Sequence, residues 1–132
     1  MKGSTFLLVL LLIAPALCFA KADGAWLNKV PKSDSDRVNP YSGSPDAIAA
    51  GRNLFLNNCA KCHGENATGK SSRPSLRSQR IQQATDGDLA WLLKNGVIYK
   101  GMPSWSGLPE QERWQIVSYL RSLNAGSAEV TR

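Results

Sequence analysis

Histidine is nearly missing from this chain: His63 is the only one among 132 residues, beside two methionines and three cysteines. A structural zinc centre needs four ligands, and this donor set does not supply them. No segment alternates apolar and polar residues over the length of a strand, and no strand–helix alternation or internal repeat occurs. That excludes the βαβ setting in which a thioredoxin-like cysteine pair is expected. Dense basic runs interleaved with aromatics are also lacking, so nucleic acid is not an expected partner.

Long apolar runs are scarce too. One occurs, from Phe6 to Ala20, broken by Pro15, preceded by Lys2 and followed by the polar Lys21-Ala22-Asp23-Gly24. A positive start, a short apolar middle and a small residue at the exit describe a secretory signal peptide over 1–20, cleaved after Ala20. The rival reading is a retained anchor, but a spanning helix wants roughly 20 apolar residues. The expected outcome is an exported, periplasmic protein with no stable membrane span after cleavage. Met1 and Cys18 leave with the leader, so Cys59, Cys62 and Met102 are the sulfur left in the mature chain. A disulfide between cysteines three apart closes too small a loop to staple a fold. A domain of roughly 110 residues without disulfides has a thin stability margin, which a buried cofactor would widen.

What is present reads as a small all-α domain. Residues 21–44 hold Pro31 and Pro40 with several Ser and Asp, and read as an extended arm. Trp26 and Tyr41 could tack it to the globule, or it could hang loose. A first helix opens at Pro45, capped by Ser44, with Ile48, Gly51, Phe55 and Cys59 on one face. Gly51 costs about 1 kcal/mol relative to alanine in a helix, so its place on the buried face predicts a second helix crossing close by. Another helix opens at Thr85, with Asp88 approximating a capping box, and ends at Asn95-Gly96. A third starts at Pro109 and carries Ile116, Val117, Leu120 and Leu123 as its stripe, with Arg121 near its negative end. The helical domain is expected over 45–124, followed by a tail at 125–132.

Cys59-Ala60-Lys61-Cys62-His63 is the most specific feature. Cys-x-x-Cys-His is the attachment signature for c-type haem. Two thiols at this spacing add across the two porphyrin vinyl groups, and the adjacent imidazole is held under the iron. Met102, in Gly101-Met102-Pro103, is the candidate for the opposite axial position. A lone methionine also serves to fill core gaps, but this one sits in a loop between helices. A thioether opposite imidazole favours ferrous iron. With both axial positions filled no site remains for substrate, which argues against an enzyme.

These motifs, in this order from Pro45 to Asn124, resemble the class I cytochromes c. The run through Gly101-Met102-Pro103-Ser104-Trp105 is similar to bacterial periplasmic cytochromes and to the cytochrome domains of the third subunit of cbb-type oxidases. The resemblance implies a cytochrome c fold of about three main helices wrapped around one covalently bound haem c and its iron. It implies that Gly51 and Phe55 meet Ile116 and Tyr119 where first and last helices cross. It implies that the Pro74 carbonyl orients His63, and that Leu76, Ile81, Leu89, Leu92, Leu93, Val97 and Trp105 line the pocket. Arg73, Arg77 and Arg80 become candidates to meet the haem propionates.

The expected function is a single-haem electron carrier between redox partners. The net charge of +6, or +5 once Lys2 is lost, is suited to steering toward acidic docking surfaces. The alternative is a dedicated electron-transfer subunit of a dehydrogenase or terminal-oxidase complex, with the arm as its partner-binding element. A five-coordinate haem enzyme or gas sensor is the third reading, and it predicts ready binding of carbon monoxide.

Overall fold

The computed structural model describes residues 24–125. The expected signal peptide, and the expected tail beyond residue 125, lie outside them. Within the described residues the protein is helical, with six α-helices: α1 (Lys32–Ser35), α2 (Pro45–Asn58), α3 (Ala60–His63), α4 (Gln79–Gln83), α5 (Asp86–Asn95) and α6 (Glu110–Ala125). Two 3-10 turns, Leu27–Lys29 and Ile98–Lys100, join them. The three long helices are those expected from sequence.

Their ends follow from local chemistry. Ser44 caps α2 by accepting from the Ala47 amide at 3.3 Å, with Pro45 in the first turn. Thr85 and Asp88 form a reciprocal capping box at the start of α5, each side chain accepting from the other's backbone amide at 3.0 and 2.8 Å. Glu110 and Glu112 occupy the first turn of α6, where the helix dipole favours carboxylates.

The α2–α6 crossing is the central packing event. A Cβ placed on Gly51 would lie 1.9 Å from the Gln115 carbonyl oxygen, so only glycine lets the two backbones come this close. One turn along, the Phe55 and Tyr119 rings pack with centroids 5.2 Å apart and planes tilted by 51°. Phe55, Leu89, Ile116 and Val117 are the largest fully buried side chains.

Two segments differ from their sequence reading. From Gly24 onward, the stretch read as an extended arm winds through a 3-10 turn and α1 and packs on the globule. Buried Asn39 donates to the Ser118 hydroxyl at 2.9 Å and to the Trp114 carbonyl at 3.2 Å. Thr85 donates to the Ser35 carbonyl at 2.7 Å. Polar residues that suggested a solvated arm are thus its anchors on α5 and α6. Short α4 lies where a loop was expected. Arg121 explains it: its guanidinium donates to the carbonyls of Ile81, Gln82 and Ala84 and pairs with Asp86 at 2.7 Å.

Candidate functional site

Helices α2, α3 and α5, the loop 64–78 and the loop 96–105 enclose a cavity of about 1450 Å³. Cys59, Cys62 and His63 line it from the α2–α3 corner, and Met102 lines it from the other loop. All seven apolar residues expected as its wall do line it: Leu76, Ile81, Leu89, Leu92, Leu93, Val97 and Trp105. Phe55, Ile116 and Leu120 extend that wall from α2 and α6.

The α2–α3 corner is shaped by backbone hydrogen bonds. Cys59 ends α2, its amide donating to the Phe55 carbonyl at 2.8 Å, and its own carbonyl accepts from the Cys62 and His63 amides at 3.1 and 3.0 Å. Cys59 is buried and Cys62 exposed, and neither is in a disulfide. Burial, then the neighbouring Cys62, push the Cys59 thiol up to about 11.

His63 is oriented from outside. Its Nδ1 lies 3.0 Å from the Pro74 carbonyl oxygen. That oxygen can only accept, so the proton sits on Nδ1 and the Nε2 lone pair is free to ligate. The loop delivering Pro74 is folded on itself, with the Leu76 amide donating to Ala67 at 2.9 Å and the Gly69 amide to His63 at 2.8 Å.

Met102 is equally fixed along its backbone. Val97 and Met102 exchange two hydrogen bonds, of 2.9 and 3.2 Å, around the Ile98–Lys100 turn. The Trp105 amide donates to the Leu93 carbonyl at 2.8 Å. Gly96 has φ of +68°, and a Cβ there would lie 2.6 Å from the Pro103 backbone, so this loop closes only on glycine.

The arginines divide. Arg73 and Arg80 line the cavity. Arg77 points elsewhere, a correction to the expectation that it faces the cofactor. Its Nε donates to the Asn66 carbonyl at 2.6 Å and its Nη1 to the Leu123 carbonyl at 3.0 Å, tying the loop to the end of α6. Unsatisfied carbonyls at a helix C-terminus attract a cation, and that competition takes Arg77 from the cavity. Gly24, Trp26 and Leu27 line the cavity from the N-terminal segment; in sequence Trp26 stood out only as a possible tack for the arm, and the adjacent apolar pair Trp26-Leu27 was the available signal.

The cavity fits a large planar apolar group. Its lining is mainly apolar yet partly open to solvent, which suits a group with a large apolar body and an accessible edge. Its donor set is two thiols, one imidazole and one thioether, with no group of three or more His, Cys, Asp or Glu able to hold a bare metal ion among the described residues. Residues 46–120 match the family described as cytochrome c oxidase, cbb3-type, subunit III. The chain belongs to the class I c-type cytochromes.

Relatives of this cytochrome include cytochrome c550 of Pseudomonas aeruginosa, 33% identical over 64% of this chain and 61% of its own length. The cbb3-type oxidase subunit CcoP of Rubrivivax gelatinosus is 53% identical over 32% of this chain and 14% of its own. The crystal structure of cytochrome CL from the methylotroph Methylophaga aminisulfidivorans superposes with a TM-score of 0.56 at 30% identity, covering 63% of this chain and 57% of that one. This chain therefore spans less than two thirds of each relative's length. As a class I cytochrome it carries covalently bound haem c with its iron, in a fold that is all-α across the described residues.

Proposed function

We propose that this cytochrome is a periplasmic carrier that moves one electron at a time between redox partners, and that it performs no catalysis. The observation that carries the reading is that His63, at the end of α3, and Met102, in the loop 96–105, line one cavity, each held by hydrogen bonds independent of the cofactor. Cys59 and Cys62 are the residues that would hold haem through thioether bonds, with His63 Nε2 and the Met102 sulfur as axial ligands to iron. Bound there, the haem supplies the one-electron ferric/ferrous couple.

The Pro74 carbonyl and the Val97–Met102 pair of hydrogen bonds would hold the two ligands in position whichever charge the iron carries. The apolar wall limits water on the side that Leu76, Leu89, Leu92, Leu93 and Val97 line, and a Met102 thioether on the iron would favour the ferrous state over a second imidazole. With His63 and Met102 both engaged in holding the iron, neither would be free to give way to a substrate. Lys61, Arg73, Arg80 and Lys100 line the cavity, while Asp88, buried in its capping box, is the one acidic residue among the described residues that does. That charge supports docking with acidic partners, by weak, fast encounters. In the described residues no helix is long and apolar enough to cross a membrane.

The family match favours a second reading, a dedicated subunit of a terminal oxidase or dehydrogenase. Size exclusion and co-purification from the native membrane separate the two: the carrier elutes as a monomer, the subunit with a larger enzyme. Stopped-flow mixing with carbon monoxide tests the filled-ligand reading in either case. The reduced protein should bind it slowly or not at all; rapid binding by the native protein would contradict the proposal.

A further inference from the structure

The family match begins at residue 46, yet the cavity is not closed by that domain alone. Gly24, Trp26 and Leu27 line it as well. Trp26 is only 7% exposed and belongs to the same core as Phe55 and Leu89. The turn that presents it is internally bonded, with the Leu27 amide donating to Gly24 at 3.0 Å and the Lys29 amide to Trp26 at 2.9 Å.

The residues flanking Trp26 in sequence, Gly24 and Lys29, touch residues that also line the cavity. On one side the Arg80 guanidinium lies over Gly24, where a Cβ would come within 1.8 Å of its Nη1. On the other, Lys29 Nζ stands 4.7 Å from the centroid of the Tyr99 ring. The far end of the segment is anchored separately. The Asp34 carbonyl packs so near Gly87 that a Cβ there would lie 2.0 Å from it, and Asn39 is buried against α6.

We infer that residues 24–44 form a strap that completes the haem cavity, with Trp26 as a positioning residue that covers the cofactor against water and so raises its reduction potential. The inference rests on haem occupying this cavity. The ferric state carries one more positive charge than the ferrous, and water stabilises that charge. Covering the cavity with an indole therefore favours the reduced form.

The test uses the assembled, haem-loaded protein. In the ferrous wild type, nuclear Overhauser contacts between Trp26 indole protons and haem protons are expected, with carbon monoxide added should the iron prove to have an open site; no such contacts would overturn the inference. In Trp26→Ala the oxidised-to-reduced ratio at a fixed poise should rise about threefold, or about 28 mV at 59 mV per decade for one electron. The methionine-to-iron charge-transfer band should persist. Trp26→Phe keeps an aromatic cover and should shift the ratio less. An unchanged potential in Trp26→Ala would overturn the inference, and should that variant fail to accumulate, the wild-type contacts and Trp26→Phe decide it. Absence of the methionine band in the wild type would instead count against the axial-ligand reading and leave the strap standing.

Discussion

Arg73 Nη1 donates to the Lys100 carbonyl oxygen at 2.8 Å, tying the loop that carries Pro74 to the loop that carries Met102. One side chain thus spans the two segments that orient the imidazole and present the thioether. Arg73→Ala removes a charge-assisted bond at an exposed position, worth about 1 kcal/mol. In a guanidinium titration of the ferric protein, the methionine-to-iron band of this variant should vanish at lower denaturant than in wild type. Coincident loss of the band in both proteins would mean that the bridge does not restrain Met102.

Gly51→Ala should be far more costly than its single added methyl suggests. The new Cβ meets the Gln115 backbone rather than a movable side chain, so α2 and α6 must separate along the crossing that also joins Phe55 to Tyr119. A loss of about 3 kcal/mol or more is expected in equilibrium unfolding. A loss within about 0.5 kcal/mol would show that the helices can shift without strain.

The strap's outer ion pair predicts a small acid-side effect. Arg37 donates to Glu110 at 2.5 Å, and this bond, more than the charges around it, lowers the Glu110 carboxyl below its usual range. A carboxylate lowered in the folded state stabilises above its unfolded value of about 4.3, and that contribution is lost as pH falls through the folded value. The pair is half exposed, so no more than about 0.5 kcal/mol is involved. Wild type and Glu110→Gln should differ in stability at pH 7 and converge as the pH falls through the lowered folded-state value. A difference that persists at low pH would assign the effect to packing around Trp114, over which Arg37 also lies at 5.1 Å.

Attachment of the cofactor should precede folding. In a chain folded without haem, Cys59 would be a buried thiol raised to about 11, hence neutral and a poor nucleophile at pH 7. A chain lacking its haem would also have to keep the 1450 Å³ cavity open. Apoprotein, or the double variant Cys59→Ser with Cys62→Ser, should therefore lose most helical circular dichroism, and the apoprotein's two thiols should alkylate at similar rates. Native helicity with Cys59 protected and Cys62 reactive would contradict this order of events.

The three long helices were legible because their signals are local. Ser44 with Pro45, Thr85 with Asp88, and Pro109 with Glu110 each mark a start within a few residues. Gly51 announced the α2–α6 crossing, since a glycine on an apolar helix face has little purpose except close approach. The cavity wall was legible for the same reason, lying on those helices and the loops between them.

What was not legible depends on contacts between distant segments. Arg77 read as a propionate partner and Arg121 as a dipole residue, and nothing nearby in sequence reveals that they satisfy carbonyls 46 and 40 positions away. The strap was opaque because its anchors, Asn39 and Ser35, are polar residues whose partners Ser118 and Thr85 lie more than 40 positions along the chain.

The central claim is that one imidazole and one thioether hold the iron of a covalently attached haem. The near-infrared absorbance of the purified ferric protein tests it most directly. A methionine-to-iron charge-transfer band is predicted in the wild type and should disappear in Met102→Ala while the haem stays covalently bound. A wild-type ferric spectrum without that band, on protein whose haem resists extraction by acidified solvent, would contradict the account.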